Sequence, residues 1–402
     1  MADRFPGGVI SKTPPTVVAP VDGEGGSASG VWTLDEVLGY EKAGAWPKKT
    51  LPRELYAWGS NYSGSVGDNT DIPRSSPVQL GSLATWGKIE NFRTVRFAVK
   101  TNGTLWGWGR NVNGTLGQND TANRSSPVQV GALTNWDLAV PGTDHALAVK
   151  TDGTLWAWGS NNHGQLGDDT VVNKSSPVQI GASTNWASVG RGESFSFAIT
   201  TTGALYSWGN AYRGYTGHND TINRSSPVQI GALTTWASVA SGDAHALAIK
   251  TDGTLWGWGL NSSGRIGDET QYTRSSPVQI GALTNWSQAS AGGPQSGAVK
   301  TDGTLWMWGY NNNGRLGINN LIPKSSPTQV GALTDWALVS VGNTSSAAVK
   351  TDGTLWAWGP NSDLNLIGDN TVVSRSSPVQ IGSNTNWYKV SMGFGAVALT
   401  KG

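Results

Sequence analysis

The chain has 402 residues, with 55 Gly, 21 Trp, 3 Met and no Cys, and a formal net charge of +1 with only 14% charged residues. That balance excludes the basic footprint of a nucleic-acid binder, and the absence of thiols excludes disulfides and cysteine-based metal sites. There is no run of about 18 apolar residues to cross a membrane as a helix, and much Gly and Trp with few helix formers predicts many short strands joined by tight turns.

Residues 1–50 come first and read as an arm. Residues 1–30 are rich in Pro, Gly and small side chains without periodicity, which predicts no fixed structure when free. The opening MADRFPGGVI lacks the basic start and apolar stretch of a secretory signal, so synthesis in a cytoplasm is expected. A short helix is expected over about 33–43. Thr33 and Glu36 fit a capping box and Trp32 with Val37 a hydrophobic staple, while Gly44 and Pro47 fit a stop. A helix this short is marginal alone. Trp32, Leu34, Val37, Leu38, Tyr40 and Trp46 are therefore expected to anchor it, either on the following domain or on another protein.

Residues 51–402 repeat. The motif L-W/Y-x-W-G ends at Gly59, Gly109, Gly159, Gly209, Gly259, Gly309 and Gly359. Ser-Ser-Pro follows in each unit, and a further Trp begins the next, from Trp86 to Trp387. In one unit, Trp136–Val140 reads as a strand, and HALAVK (145–150) alternates with the strand period. Asp152-Gly153 is a hairpin signal, and residues 155–159 form the third strand. A long loop then runs to Ser176, and Pro177–Ile180 is expected as an edge strand. Four antiparallel strands repeated radially make a propeller blade. The repeats begin mid-unit at Glu54-Leu55-Tyr56-Ala57-Trp58 and end mid-unit at Ala396-Val397-Ala398-Leu399-Thr400. Pairing these segments completes a seventh blade and closes the ring, removing exposed sheet edges. The expectation is an all-β, seven-bladed propeller with a short N-terminal arm.

The units, of the form W-x-x-V-x-x-G-x-x-H-A-L-A-V-K-T-D-G-T-L-W-A-W-G-S-N-x-x-G-Q-L-G-D with S-S-P-V-Q-I, resemble the regulator of chromosome condensation repeat. That resemblance implies seven-bladed propellers, in a family that includes a nucleotide-exchange factor, a β-lactamase inhibitor and many phage and bacterial proteins. The near-identical units separate this chain from the exchange factor, so no exchange-factor residue is carried over. The segment SASGVWTLDEVLGYEKAGAWP (27–47) is similar to one recurring near the N-termini of phage virion proteins.

No catalytic or cofactor constellation emerges. His145 and His245 share one repeat position and read as structural; His163 and His218 lack a partner acid nearby. Loop acids such as Asp68 and Asp268 could bind calcium or pair with Arg74 and Arg274 of the same loop. The repeats also allow an internal comparison. Connections after the second strand (TDGT) and between units (GALTNW) hardly vary, whereas those after the first and third strands do, and both lie on one face. That variable face carries the candidate binding residues Tyr62, Phe92, Arg93, Arg110, His163, Arg191 and Tyr212. It also carries Arg213, Tyr215, Arg265, Tyr272, Tyr310 and Arg315. Tyr and Arg are the usual residues of recognition hot spots, although loops also drift neutrally.

The expectation is thus a non-enzymatic virion protein, tail-fibre-like or surface-decorating. Its arm would bind other virion proteins, and its propeller would face a host-surface receptor, as a homo-oligomer in the particle. It is expected to use no cofactor, no metal, no nucleic acid and no membrane span. The alternative is a soluble protein-binding propeller acting as inhibitor or adaptor.

Overall fold

A computed structural model of the chain describes residues 53–82, 85–362 and 366–401. The arm, its expected helix and the anchor residues Trp32, Leu34, Val37, Leu38, Tyr40 and Trp46 lie outside the described residues. Residues 53–401 form seven four-stranded antiparallel sheets. Blades 1 to 6 span residues 86–129, 136–179, 186–229, 236–279, 286–329 and 336–380; strands A to D run outward from the axis. Blade 7 combines Trp387–Gly393 (A) and Gly395–Thr400 (B) with Leu55–Gly59 (C) and Arg74–Gln79 (D). The two terminal segments pair as expected, with Leu55 opposite Leu399, Ala57 opposite Val397 and Gly59 opposite Gly395. Each A strand touches the next around the axis, including the last against the first, so the ring is closed.

Strand D starts earlier than expected, at Lys174 rather than Pro177 in blade 2. Lys174 pairs with Gly159 and Val178 with Ala157, so the Ser-Ser-Pro segment is a bulge on the edge strand, where a proline costs no ladder bond. The bulge links neighbouring blades. Its first Ser carbonyl accepts an N–H from the preceding blade's loop, as in Asp169 to Ser225 at 2.8 Å and Asn370 to Ser75 at 2.8 Å. The donor has φ near +60° in all seven blades, a conformation that suits Asn and Asp. Asn or Asp fills six of these positions and Glu269 the seventh.

The core lies between blades. One cluster joins Val95, Phe97 and Leu116 of blade 1 to Trp136, Ala146 and Trp158 of blade 2. The second Trp of each L-W/Y-x-W-G motif, Trp58 through Trp358, is fully buried. Six of these seven indoles donate Nε1–H to a loop carbonyl of the preceding blade, such as Trp208 to Gln165 at 2.9 Å. Gly167 lets that loop approach: its φ is +81°, and a Cβ there would lie 2.7 Å from Trp208 Nε1.

The first aromatic of the motif follows a different rule. Trp156 packs edge-on against Trp136 at 5.8 Å, and Lys150 Nζ lies 3.6 Å from its ring centroid, a cation–π contact. Thr154 accepts the Trp156 indole N–H at 2.9 Å while donating to Asp152 at 2.6 Å. Lys and Trp occur together in blades 1, 2, 4, 5 and 6. Blades 3 and 7 change both residues, to Thr200 with Tyr206 and Thr400 with Tyr56. The set varies as a unit because a Lys without the indole face, or an indole N–H without Thr, loses its partner.

Candidate functional site

Strand A of each blade lines a central channel of about 450 Å³ whose walls include Leu138, Val189, Val239 and Leu338. The face carrying the A–B and C–D loops closes one end. Arg93 at φ +50° reaches Glu193 at 3.1 Å and Asp243 at 3.3 Å, and Asn343 donates to Asp243 at 3.0 Å. Bonds joining blades 1, 3, 4 and 6 must cross the axis, so these side chains form a plug. Beneath it, Arg191 donates to the carbonyls of Pro141 at 2.6 Å, Ser241 at 3.0 Å and Asn91 at 2.9 Å. Its guanidinium lies 4.3 Å from the Phe92 ring centroid, and burial lowers its pKa. Phe92 is itself buried at the end of strand A of blade 1, so it supports the face from below and presents no contact surface.

Further out, arginines stitch one blade's C–D loop to the next blade's A–B loop. Arg110 pairs with Asp144, Arg265 donates to Gly293 O at 3.3 Å and Arg315 to Asn343 O at 3.1 Å. Tyr310 lies under Arg315 and accepts from Asn312. These positions shape the face, and their backbone partners carry no signature in sequence.

The outward-facing candidates concentrate at blades 2 and 3. Tyr212 is 56% exposed, and His163 and Arg213 are exposed beside it. Tyr215 packs against Phe195 at 5.3 Å and edge-on to Tyr212 at 6.0 Å, with Arg213 over the Tyr212 ring at 5.1 Å. His163 Nδ1 lies 3.5 Å from Asn223, whose Oδ1 accepts the Ala211 N–H at 2.9 Å. Tyr212, Arg213 and Tyr215 therefore form one aromatic and basic patch on the C–D loop of blade 3, where Ala211 and His218 replace the repeat's Asn and Asp, and His163 of blade 2 reaches the same loop at Asn223. Tyr62, on the C–D loop of blade 7, is 72% exposed.

Tyr272 belongs to a feature that reading each loop separately misses. With Ile72, Val172, Ile222, Ile322 and Val373 it forms an apolar collar, 54–75% exposed, one residue per blade outside blade 1. The detectable signal is an apolar residue two places before each loop's Arg or Lys, which only the comparison of repeats reveals.

The loop acids are held internally. Asp68 accepts from Arg74 Nε at 2.6 Å and from Thr70 at 2.7 Å, and Asp268 and Asp369 do the same with their own loops. Where Gln118 or His218 replaces the acid, Asp120 or Asp220 two residues on pairs with Arg124 or Arg224 instead. Among the described residues no three His, Asp or Glu side chains converge as metal ligands would.

His145 and His245 lie in seams between blades. His145 Nε2 is 3.2 Å from Ser196 Oγ, which donates to Gln165 O at 2.7 Å; His245 repeats this with Ser296 and Arg265. Ser thus accepts from Nε2–H, and a proton added at Nδ1 would find no acceptor among the described residues. Burial, with Arg191 nearby, lowers the His145 pKa to about 3; burial pushes His245 well down too. The unfolded pKa is about 6.5, so this stability is complete above pH 6.5 and lost as pH falls towards 3. Between pH 7 and 4.5 His145 should cost about 2–3 kcal/mol, and His245 adds a loss of the same sign. Urea midpoints of His145→Gln with His245→Gln should therefore fall less over that interval than those of the parent; equal losses contradict the assignment.

Residues 142–399 match the family model of the RCC1-like domain and residues 102–149 that of the regulator of chromosome condensation (RCC1) repeat. No curated protein matches the chain. Human WBSCR16 is similar in structure at 21% identity and TM-score 0.78, over 87% of this chain and 99% of that one. Yeast RCC1 (Prp20) bound to Kap60 gives 19% identity and 0.77, over 87% and 89%. Prp20p from Saccharomyces cerevisiae, studied for its binding to Gsp1p and histones, gives 20% and 0.77, over 88% and 92%.

Proposed function

The chain belongs to the RCC1-like domain family, and we propose that it is a non-enzymatic phage virion protein, tail-fibre-like or surface-decorating. Residues 1–50 anchor it to other virion proteins, and its propeller displays the loop face to a host-surface receptor. The observation that carries the binding role is the patch of Tyr212, Arg213 and Tyr215, with His163 beside it, because exposed aromatic and Arg side chains on supported loops suit recognition. The virion assignment rests on the similarity of residues 27–47 to virion arms. The test is co-sedimentation with phage particles and light scattering of the full chain against residues 51–402. The proposal expects the full chain to associate and the propeller alone to stay free and monomeric. Equal behaviour of the two forms overturns the anchoring role. One observation favours a second reading, a soluble adaptor or inhibitor: structurally similar propellers are described with protein partners, Kap60, Gsp1p and histones. That reading expects a partner to be captured by residues 51–402 as well as by the full chain.

A further inference from the structure

The seams between blades are filled by complementary pairs, one residue at the start of strand B and one at the second position of strand B in the next blade. Val95 meets Ala146, Phe195 meets Ala246, and His145 and His245 meet Ser196 and Ser296. Where the ring closes, the pair is Gly395 of blade 7 and Arg96 of blade 1. The guanidinium occupies the space a histidine ring fills elsewhere: a Cβ on Gly395 would lie 3.2 Å from Arg96 Nη2. Arg96 is 0% exposed, and its Nε, Nη1 and Nη2 have no hydrogen-bond partner among the described residues.

Directly opposite Arg96 in the ladder stands Trp108. Its Nε1 is the one indole nitrogen of the buried row without a carbonyl acceptor among the described residues. Two unpaired donor groups thus share one side of a closed seam, and one carries a full charge. No described carboxylate pairs with Arg96, and burial alone lowers its pKa, only to about 9, so the group stays protonated at neutral pH. The orphan acceptor nearby, Asn91 Oδ1, is neutral, and its amide is committed to Ser391 O at 3.2 Å and Gly395 O at 3.1 Å. A buried cation needs an opposite charge as well as acceptors.

We propose that the closing seam holds one small monovalent anion of chloride size, bound by the Arg96 guanidinium and the Trp108 indole N–H. Backbone packs closely beside the guanidinium, where a Cβ on Gly395 would lie 2.4 Å from Trp58 O and 3.2 Å from Arg96 Nη2, and this favours a monatomic anion over a polyatomic one. The ion enters as the seam forms, so it stabilises the folded ring by mass action. It is independent of the loop face and of the function assigned to it.

The test uses the full chain. Crystals grown in sodium bromide should show an anomalous peak between Arg96 and Trp108. At fixed ionic strength, replacing gluconate by chloride should lower the unfolding constant, up to tenfold for each tenfold rise in chloride above Kd. Arg96→Ser and Arg96→Ala, which install residues that other blades carry at this position, should abolish both the peak and the chloride dependence. No peak at the seam, or equal chloride dependence in parent and variants, overturns the proposal.

Discussion

Removing residues 395–402 should abolish cooperative folding of the propeller. Strand Gly395–Thr400 is the centre of the joint, paired with Leu55–Gly59 on one side and Trp387–Gly393 on the other. Ala396, Val397, Ala398 and Leu399 are fully buried. Losing two large aliphatic side chains at about 1.5–3 kcal/mol each, and the hydrogen bonds of two ladders at about 1 kcal/mol each, totals on the order of 10 kcal/mol. That is comparable to the whole stability of an ordinary domain. Two exposed edges would also remain, an invitation to aggregation. Circular dichroism during thermal unfolding checks this: the full chain should melt in one transition and the truncated chain should show none. A truncated chain that melts within a few degrees of the parent would mean the ring is held elsewhere.

The second large effect concerns the two tryptophans of one motif, Trp156 and Trp158. Trp158 is fully buried between blades 1 and 2, edge-on to Phe97 at 5.6 Å and bonded to Thr115 O at 2.7 Å. Trp158→Ala should cost about 3–5 kcal/mol through the cavity and the stranded carbonyl. Trp156 is half-buried and works with Lys150 and Thr154. Trp156→Tyr alone should cost about 1 kcal/mol, because it strands the Thr154 acceptor and weakens the cation–π contact. Adding Lys150→Thr, as in blades 3 and 7, should recover part of that loss. Denaturant midpoints across this double-mutant cycle measure the coupling; strict additivity would show that the pair varies without physical linkage.

These cases show what the repeat makes legible. Seven in-register copies specify the blade, the closing pair of Leu55–Gly59 with Gly395–Thr400, and the internal pairing of acids such as Asp68 with Arg74. Strand D was harder to bound, because the proline that suggests a strand start sits inside a bulge beginning at Lys174. Within the variable face, sequence marked Arg93, Arg191, Arg265 and Arg315 as readily as Arg213. Only the folded arrangement separates an arginine bonded to a neighbouring carbonyl or an acid across the axis from one left at the surface. Phe92 is hidden for a related reason: strand A of blade 1 runs to residue 92, placing the ring under Arg191. Arg96 gives no signal of its own, because an alternating strand reads the same with one long polar side chain inside.

Recognition by the loop face at blades 2 and 3, as proposed, has one direct test. Under the proposed virion role, fluorescently labelled full chain is titrated onto cells of the host that role implies. Two variants are compared with the parent, Tyr212→Ala with Tyr215→Ala on the loop face and Leu233→Ala with Leu283→Ala on the opposite face, where both leucines are about half exposed. The prediction is a loss of at least about tenfold in affinity for the loop-face variant, consistent with two hot-spot side chains, and no change for the other. Unchanged binding by the loop-face variant, with loss in the opposite-face variant, would contradict the assignment and move the site to the far side of the ring.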